Sequence, residues 1–392
     1  MAVMLKTPKS IKPLAFGVYF WTVAAIALAG LLDAIYLSIA HYRVYADIGY
    51  QSFCAVSRAI NCDTVSQSPY SIFVGIPVPV WGIVGYALFL MLLGLAWSKT
   101  FAVKRLWTLL FLISLAFSIY SIILAWISTF LIHSYCIMCI ASYGINFLLL
   151  FYTHIIRQRF EIRGILTPLK QDLSHLWQRK SQSLALFLPL SGVVVVMLLF
   201  FPVYWSFDPP ELSAYIPHGI TEDGHPWIGA ANPEIEIVEF TDYQCFQCNK
   251  MHFYLRQMMV NHPGKIKLIH RHFPMDHEIN PIVKEPLHHG SGKMAMLTIY
   301  AASQNKFWQM SDLLFSIARV TPKIRIKELA DQTGLKYEAL LKAINSRKIR
   351  LKLQEDILDG LKLGVTGTPS FVINNKVYHG QIPPELLEQY LN

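Results

Sequence analysis

The 392-residue sequence has no glycine-rich nucleotide-binding motif, so a dinucleotide or nucleoside triphosphate would find no phosphate cradle in it. Cysteine is scarce, with only six residues, and no motif demands a metal or a flavin. Its 34 lysines and arginines outnumber 25 acids and give a net charge of +9, yet they form no stripe or face. They collect in short runs beside apolar stretches, which excludes a nucleic-acid footprint and points to membrane topology. A cleavable signal peptide is also missing. The first apolar run is too long, and no small-residue cleavage site precedes the next polar stretch, so the first helix is expected to remain as an anchor.

What the chain does have is apolar sequence. Hydrophobic residues make up 54% of it and the mean hydropathy is +0.38, above the usual range of a soluble enzyme. Predominantly apolar runs fall at roughly 16–40, 79–97, 106–132, 136–156 and 183–204, each long enough for a hydrocarbon core of about 30 Å. Basic residues lie between them: Lys6, Lys9 and Lys12; Lys99, Lys104 and Arg105; then Arg157, Arg159, Arg163, Lys170, Arg179 and Lys180. The positive-inside rule makes these segments cytoplasmic. With five crossings and the N-terminus inside, the 41–78 loop, the turn at 133–135 and everything after about 205 are expected outside.

The cysteines fall into three pairs, Cys54 with Cys62, Cys136 with Cys139 and Cys245 with Cys248. All six lie on the expected outer side, where dithiol–disulfide couples persist. Structural bridges, a zinc site and a redox relay are the three readings. A CxxC loop is too small for a bridge to remove much chain entropy, which weighs against the first. Zinc would require one site, whereas one CxxC opens a membrane helix and the other sits in a separate domain. A redox relay is therefore expected. The wider gap between Cys54 and Cys62 fits a flexible shuttle between a soluble partner and a buried dithiol.

Residues 205–226 are rich in Pro, Gly and Asp (Asp208-Pro209-Pro210, Pro217, Gly219, Asp223-Gly224) and read as a linker. Beyond it, Glu234 to Phe240 reads as a strand, and Cys245-Phe246-Gln247-Cys248 opens a helix running to about His262. Lys265 to Phe273 reads as a second strand, 290–360 as mostly helical, and Phe371 to Asn374 with Lys376 to His379 as a closing hairpin. At a helix start the first cysteine gains from unpaired N–H groups and the helix dipole, so Cys245 is the expected nucleophile and Cys248 its resolving partner. On the fourth helix Cys136, Cys139 and Tyr143 share a face, which would let the phenol donate to a ligand carbonyl; a belt tyrosine is the alternative. Asp33, an acid within the first helix, reads either as functional or as snorkelling to a polar neighbour.

The order strand, CxxC, helix, helical insert, then Gly364-Val365-Thr366-Gly367-Thr368-Pro369-Ser370-Phe371 before a strand resembles the thioredoxin superfamily, in particular its DsbA-like branch, over roughly 226–392. The resemblance implies that Pro369 is cis and lies against the CxxC. It also implies that Glu239 is a buried carboxylate near the resolving thiol, able to accept a proton; read alone, Glu239 is equally a strand-end surface acid. The dipeptide Phe246-Gln247 departs from the Pro-His of oxidising members and the Gly-Pro of thioredoxin, which leaves the direction of electron flow open.

Cys54 and Cys62 in the first outer loop, then Ser68, then Gly75-Ile76-Pro77-Val78-Pro79, then a CxxC on the last helix of a four-helix set resembles the vitamin K epoxide reductase family over approximately 15–156. This resemblance implies a quinone (ubiquinone or menaquinone) bound beside the CxxC. Carried over by position, Cys139 reduces the quinone, Cys136 exchanges with Cys62, and Cys54 exchanges with the thioredoxin-like domain. Tyr143 contacts the quinone and Ser68 lies near it. Val78 stands where mammalian relatives have an asparagine, so that hydrogen bond is absent or supplied elsewhere.

The expected architecture is an α-helical membrane bundle followed by an α/β thioredoxin-like domain with a helical insertion. Residues 1–156 would form the four-helix core, 157–225 a cytoplasmic basic loop, a fifth linking helix and a linker, and 226–392 the extracytoplasmic domain. The expected function is that of a multi-pass inner-membrane thiol–disulfide oxidoreductase. It would oxidise secreted or periplasmic cysteine-containing proteins and pass the electrons to the membrane quinone pool. A reductase or isomerase running electrons outward is disfavoured, because common quinols hold electrons too weakly to reduce stable disulfides. A metal-handling role through His270-x-His272 and His288-His289 is weaker still, since such pairs are more often solvated side chains.

Overall fold

The computed structural model describes residues 14–56, 59–97, 105–206, 216–285, 287–317 and 325–391. Lys6, Lys9, Lys12, Lys99, Lys104 and Asp208-Pro209-Pro210 lie outside the described residues. The chain divides into two compact units, one of residues 1–46 and 50–203, the other of 47–49 and 204–392.

In the first unit, α1 (Phe16–Ala46) is 31 residues long and so extends about 46 Å, well past the expected end of its apolar run. The connection that follows folds into α2 (Cys62–Gln67), a 3₁₀ turn (Pro69–Ser71) and a short hairpin of β1 (Ile72–Phe73) and β2 (Ile76–Pro77), turned by Gly75 at φ 71°. Then come α3 (Val78–Leu95), α4 (Trp107–Ile127), a π-helical turn (Ser128–Ile132), α5 (Ile137–Arg159), α6 (Leu166–Gln178) and α7 (Lys180–Phe200). Among the described residues, five helical segments are long and apolar enough to cross a membrane: Phe16–Ala46, Val78–Leu95, Trp107–Ile132, Ile137–Arg159 and Lys180–Phe200.

A bundle in lipid must satisfy its polar groups internally. Ser114, Ser118 and Ser121 recur along α4 at helical spacing, and each hydroxyl donates to the carbonyl four residues earlier, at 2.7–2.9 Å. Small side chains let α5 approach closely. Asn146 of α5 cross-links the layer, donating to Ser121 Oγ (2.9 Å) and accepting from the Tyr86 hydroxyl of α3 (2.7 Å).

Residues 157–180, expected as a basic loop, contain α6, an amphipathic helix. Its buried Asp172 accepts the backbone N–H groups of Leu106 (2.7 Å), Thr108 (3.0 Å) and Leu109 (3.2 Å). Leu106 has φ 72° and no side-chain cap of its own, so the donors at the start of α4 are met from a residue distant in sequence. Leu166, Leu173 and Trp177 leave an apolar face of α6 exposed.

The second unit holds a six-stranded sheet in the order β3-β4-β6-β5-β7-β8. Its elements are β3 (His218–Ile220), β4 (Pro226–Gly229), β5 (Ile235–Thr241), α8 (Phe246–Asn261), β6 (Ile266–His272), α9 (Ser291–Ala302), α10 (Phe307–Ile317), α11 (Ile326–Thr333), α12 (Tyr337–Ala343), α13 (Arg347–Lys362), β7 (Ser370–Ile373), β8 (Lys376–His379) and α14 (Pro384–Leu391). Strand β5 runs parallel to β6 and antiparallel to β7. The β3–β4 hairpin occupies part of the expected linker: Pro and Gly there mark turns and an edge rather than unstructured chain. Ile235 and Ile237 face one layer with Met251, Leu255 and Met259 of α8, while Phe240 packs on the other side with Phe273 and Ile357. A central sheet with helices on both faces and five helices between β6 and β7 is the thioredoxin-like α/β architecture with a helical insertion.

Candidate functional site

Two dithiol regions are built the same way. In the first unit Cys136 is the N-cap of α5 and its sulfur accepts the N–H of Cys139 (3.1 Å). In the second, Cys245 is the N-cap of α8 and its sulfur accepts the N–H of Cys248 (3.3 Å). Each first cysteine thus meets the positive end of a helix, the setting that favours a thiolate.

Around Cys136 the backbone does the aligning. Ile60 forms a parallel bridge with Tyr135, through Asn61 N–H to Tyr135 O (2.9 Å) and Tyr135 N–H to Ala59 O (2.8 Å). Cys136 follows Tyr135 directly, and Cys62 lies two residues beyond Ile60. Asn61 also caps α2, accepting from Asp63 and Thr64 N–H, which fixes Cys62 at the helix start. Cys54 and Cys62 form a disulfide with Cα atoms 5.7 Å apart, and both pack in one buried cluster with Cys136. In this structure the pair is enclosed: Cys54 is 1% exposed, and Ser52, two residues before it, donates its N–H to Asp63 (3.0 Å).

Cys139 packs at the edge of that cluster and also lines a cavity of about 430 Å³ between the helices. Tyr143, Ser68 and Val78 line this cavity, as do Ser142 and Asn146. Cys139, Ser142, Tyr143 and Asn146 follow the i, i+3, i+4, i+7 spacing of one helix face. Only the first and third of these were singled out from sequence. Ser68 hydrogen-bonds the Val65 carbonyl (2.8 Å) and so also caps α2. Asp33 lies behind the cavity wall as the acceptor of the Ser142 hydroxyl, and its other oxygen has no protein partner. Asp33 is thus paired with Ser142 of α5.

In the second unit the Thr368–Pro369 bond is cis, and the Cys245 thiol donates to Thr368 O (3.4 Å). A hydrogen bond from Cys248 and a charge on His288 hold the Cys245 thiol below its usual range, against the opposing effect of burial. Burial first, then the adjacent Cys245, pushes the Cys248 thiol well up. This split separates an attacking sulfur from one that waits as a thiol.

Glu239 is buried, which removes the surface-acid alternative. Register places it opposite His270, whose Nδ1 lies 2.8 Å from Glu239 Oε1. Burial pushes its carboxyl up to about 7, opposed by charge on His252 and Arg256. Its hydrogen-bond partner is thus the imidazole rather than a cysteine. His270 and His272, expected as solvated, are wholly buried, because their face of β6 continues the Ile266–Leu268 core row beneath the helices. His270 Nε2 is 3.1 Å from His272 Nδ1, and Phe307 packs edge-on to His270. Burial holds both imidazoles neutral. Elsewhere, Asp276, His277 and His289 come together, but Asp276 already accepts the backbone N–H groups of Glu278, Gly290 and Gly292.

Two CxxC pairs thus stand at helix starts, one beside a cavity between apolar helices and one beside a cis-proline loop. Residues 21–154 match the vitamin K epoxide reductase family and residues 221–392 match the thioredoxin family. The vitamin K epoxide reductase complex subunit 1 of Mus musculus is 30% identical over 132 residues, which cover 31% of this chain and 80% of that protein. The chain belongs to the vitamin K epoxide reductase family, with a thioredoxin-like domain fused behind the membrane helices. Solved structures similar to it include Wolbachia pipientis alpha-DsbA1 (21% identity, 44% of this chain, 91% of that chain, TM-score 0.35) and a thioredoxin-like oxidoreductase from Silicibacter pomeroyi (23% identity, 42% of this chain, 89% of that chain, TM-score 0.35). The Na(+)/H(+) antiporter NhaA 3 of Salinispora tropica is 23% identical over 159 residues, 41% of this chain. The chain spans only 23% of that antiporter's length.

Proposed function

We propose that the protein forms disulfides in secreted or periplasmic cysteine-containing proteins and passes the electrons to a quinone of the inner membrane. The observation that carries this reading is the placement of the two sulfurs of one CxxC: Cys136 is buried against the Cys54–Cys62 disulfide, while Cys139 lines the cavity. That dithiol has a thiol partner on one side and a ligand-sized apolar space on the other.

The steps follow as successive two-electron exchanges. A substrate thiolate attacks Cys245 of the Cys245–Cys248 disulfide, and a second substrate thiolate attacks the first substrate sulfur, releasing reduced Cys245 and Cys248. Cys245 then attacks Cys54, freeing Cys62, and Cys248 resolves the mixed disulfide. Cys62 attacks Cys136 of an oxidised Cys136–Cys139 pair, freeing Cys139, and Cys54 resolves that bond. A bound quinone would supply the terminal sink, taking two electrons and two protons from the dithiol. The cavity fits such a ring: its walls are mainly apolar, and Tyr143, Ser142, Ser68 and Asn146 offer polar contacts where Val78 offers none. The basic residues Arg105, Arg157, Arg159, Arg163, Lys170, Arg179 and Lys180 sit at the helix ends remote from these cysteines, which supports a cytoplasmic assignment for that side.

The test uses detergent-purified protein, a reduced cysteine peptide and a ubiquinone or menaquinone analogue, with quinone absorbance followed in wild type and Cys139→Ala. Thiol-dependent quinone loss that vanishes in the variant is expected. Oxidation of the peptide by wild type with no quinone loss would rule the proposal out.

A further inference from the structure

The dipeptide between Cys245 and Cys248 is Phe246-Gln247, so no cation lies within the CxxC itself. A histidine stands near it on another segment. Close to the end of the segment between β6 and α9, His288 has φ 42°, the left-handed region that a non-glycine residue enters only when its surroundings hold it there. The surroundings here are specific. Ser291 N–H donates to His288 O (3.0 Å), Gln244 Nε2 donates to His289 O (3.0 Å), and Asp276 accepts Gly290 N–H (2.9 Å). The residue just before Cys245 therefore grips the residue just after His288.

The imidazole itself is fixed by Asp242, three residues before Cys245. His288 Nδ1 lies 3.0 Å from Asp242 Oδ2. That carboxylate is fully buried and also accepts Gln244 N–H (2.7 Å), Met275 N–H (2.6 Å) and the Ser291 hydroxyl (2.9 Å). Burial would raise the Asp242 carboxyl, but His288 and these donors hold it below its usual range, so it stays ionised. Of the other carboxylates in the segment, Glu278 lies near His289 (3.6 Å) and Asp276 near His277 (3.8 Å). A bare Asp242 would oppose a thiolate at Cys245; its pairing with His288 reverses the balance.

We propose that His288 is a positioning residue that supplies, through space and on the Asp242 anchor, the positive charge that holds Cys245 as a thiolate. A stabilised thiolate favours the reduced dithiol and makes the domain more oxidising, so His288 biases electron flow inward. The inference rests on Cys245 being the attacking sulfur.

The full-length reduced protein in detergent is pulsed with iodoacetamide between pH 4 and 9, and modification of the Cys245 peptide is read by mass spectrometry. Relative to wild type, His288→Ala is expected to shift the Cys245 profile upward by about one pH unit, roughly tenfold slower alkylation at acid pH. His288→Lys, which keeps a cation, is expected to restore the rate. In glutathione buffers the Cys245–Cys248 pair of His288→Ala should move about tenfold toward the disulfide, close to 30 mV. Superimposable profiles for wild type and His288→Ala, or a loss that lysine does not rescue, overturn the proposal. A wild-type Cys245 no more reactive than Cys248 would instead remove the nucleophile assignment beneath it.

Discussion

Replacing Glu239 with glutamine removes one titrating group from the buried interior of the thioredoxin-like unit and leaves a side chain of the same shape. In the fold its carboxyl titrates near pH 7, pushed up by burial, whereas the ordinary value is 4.5. Below pH 4.5 both folded and unfolded chains hold the proton, and the group adds no pH dependence. Between 4.5 and 7 the unfolded chain releases it while the folded chain keeps it, so wild-type stability falls as pH rises. The interval corresponds to about 3 kcal/mol at 1.36 kcal/mol per unit. Glutamine has no such loss, so the stability of Glu239→Gln minus wild type should rise by about 3 kcal/mol across this window and level off above it. Any constant offset from the altered contact with His270 does not affect the slope. Urea titrations of the full-length protein, read by protease cleavage within 216–391 at matched pH, give the difference directly. A flat difference between pH 4.5 and 7.5 would mean that Glu239 is already ionised against a protonated His270, and the buried neutral pair described above would be wrong.

Asp172→Ala leaves three backbone donors at the start of α4 without an acceptor and should cost about 2–3 kcal/mol, seen as a lower midpoint in a detergent thermal shift; an unchanged midpoint would show that α6 is not tied to the bundle. In Cys54→Ala the bond formed when Cys62 attacks the Cys136–Cys139 disulfide has lost its resolving sulfur, so non-reducing peptide mapping should recover a Cys62–Cys136 link, and a Cys62–Cys139 link would reverse the assigned order. Gly229 has φ 115°, and a methyl there would collide with the Ile266 carbonyl oxygen. Gly229→Ala should therefore leave the 216–391 region protease-sensitive without urea, and wild-type resistance would refute the close approach.

The membrane helices were legible because their signal is continuous and local: a long apolar run reads the same in any context. The CxxC at the start of α8 and the strand before it were equally local, resting on short-range periodicity and a fixed spacing. What escaped depends on partners far along the chain. The amphipathic helix α6 carries too many polar residues to stand out as apolar, and its anchor, Asp172, acts on α4 across more than sixty positions. The Pro- and Gly-rich stretch 205–226 read as a linker because its residues suit turns, yet it holds β3, and β4, which begins at its end, is held by pairing with β6. That His270 and His272 share a face follows from strand alternation; their burial does not, since it needs Phe307 and the helices above the sheet. Asn146 and Ser142 could have been found by extending the Cys139 face one more turn. His288 gave no such signal, because its role lies in a loop conformation and in a carboxylate from another element.

The bridge between Ile60 and Tyr135 is only two hydrogen bonds long. At about 0.5–1.5 kcal/mol each, parting it costs about 1–3 kcal/mol. A loosened form would then hold roughly one molecule in six to one in a hundred and sixty at any instant. Such a fraction keeps Cys62 and Cys136 aligned most of the time and leaves a standing open form. Electron transfer through this junction would be governed by a standing population of open molecules rather than by a discrete trigger.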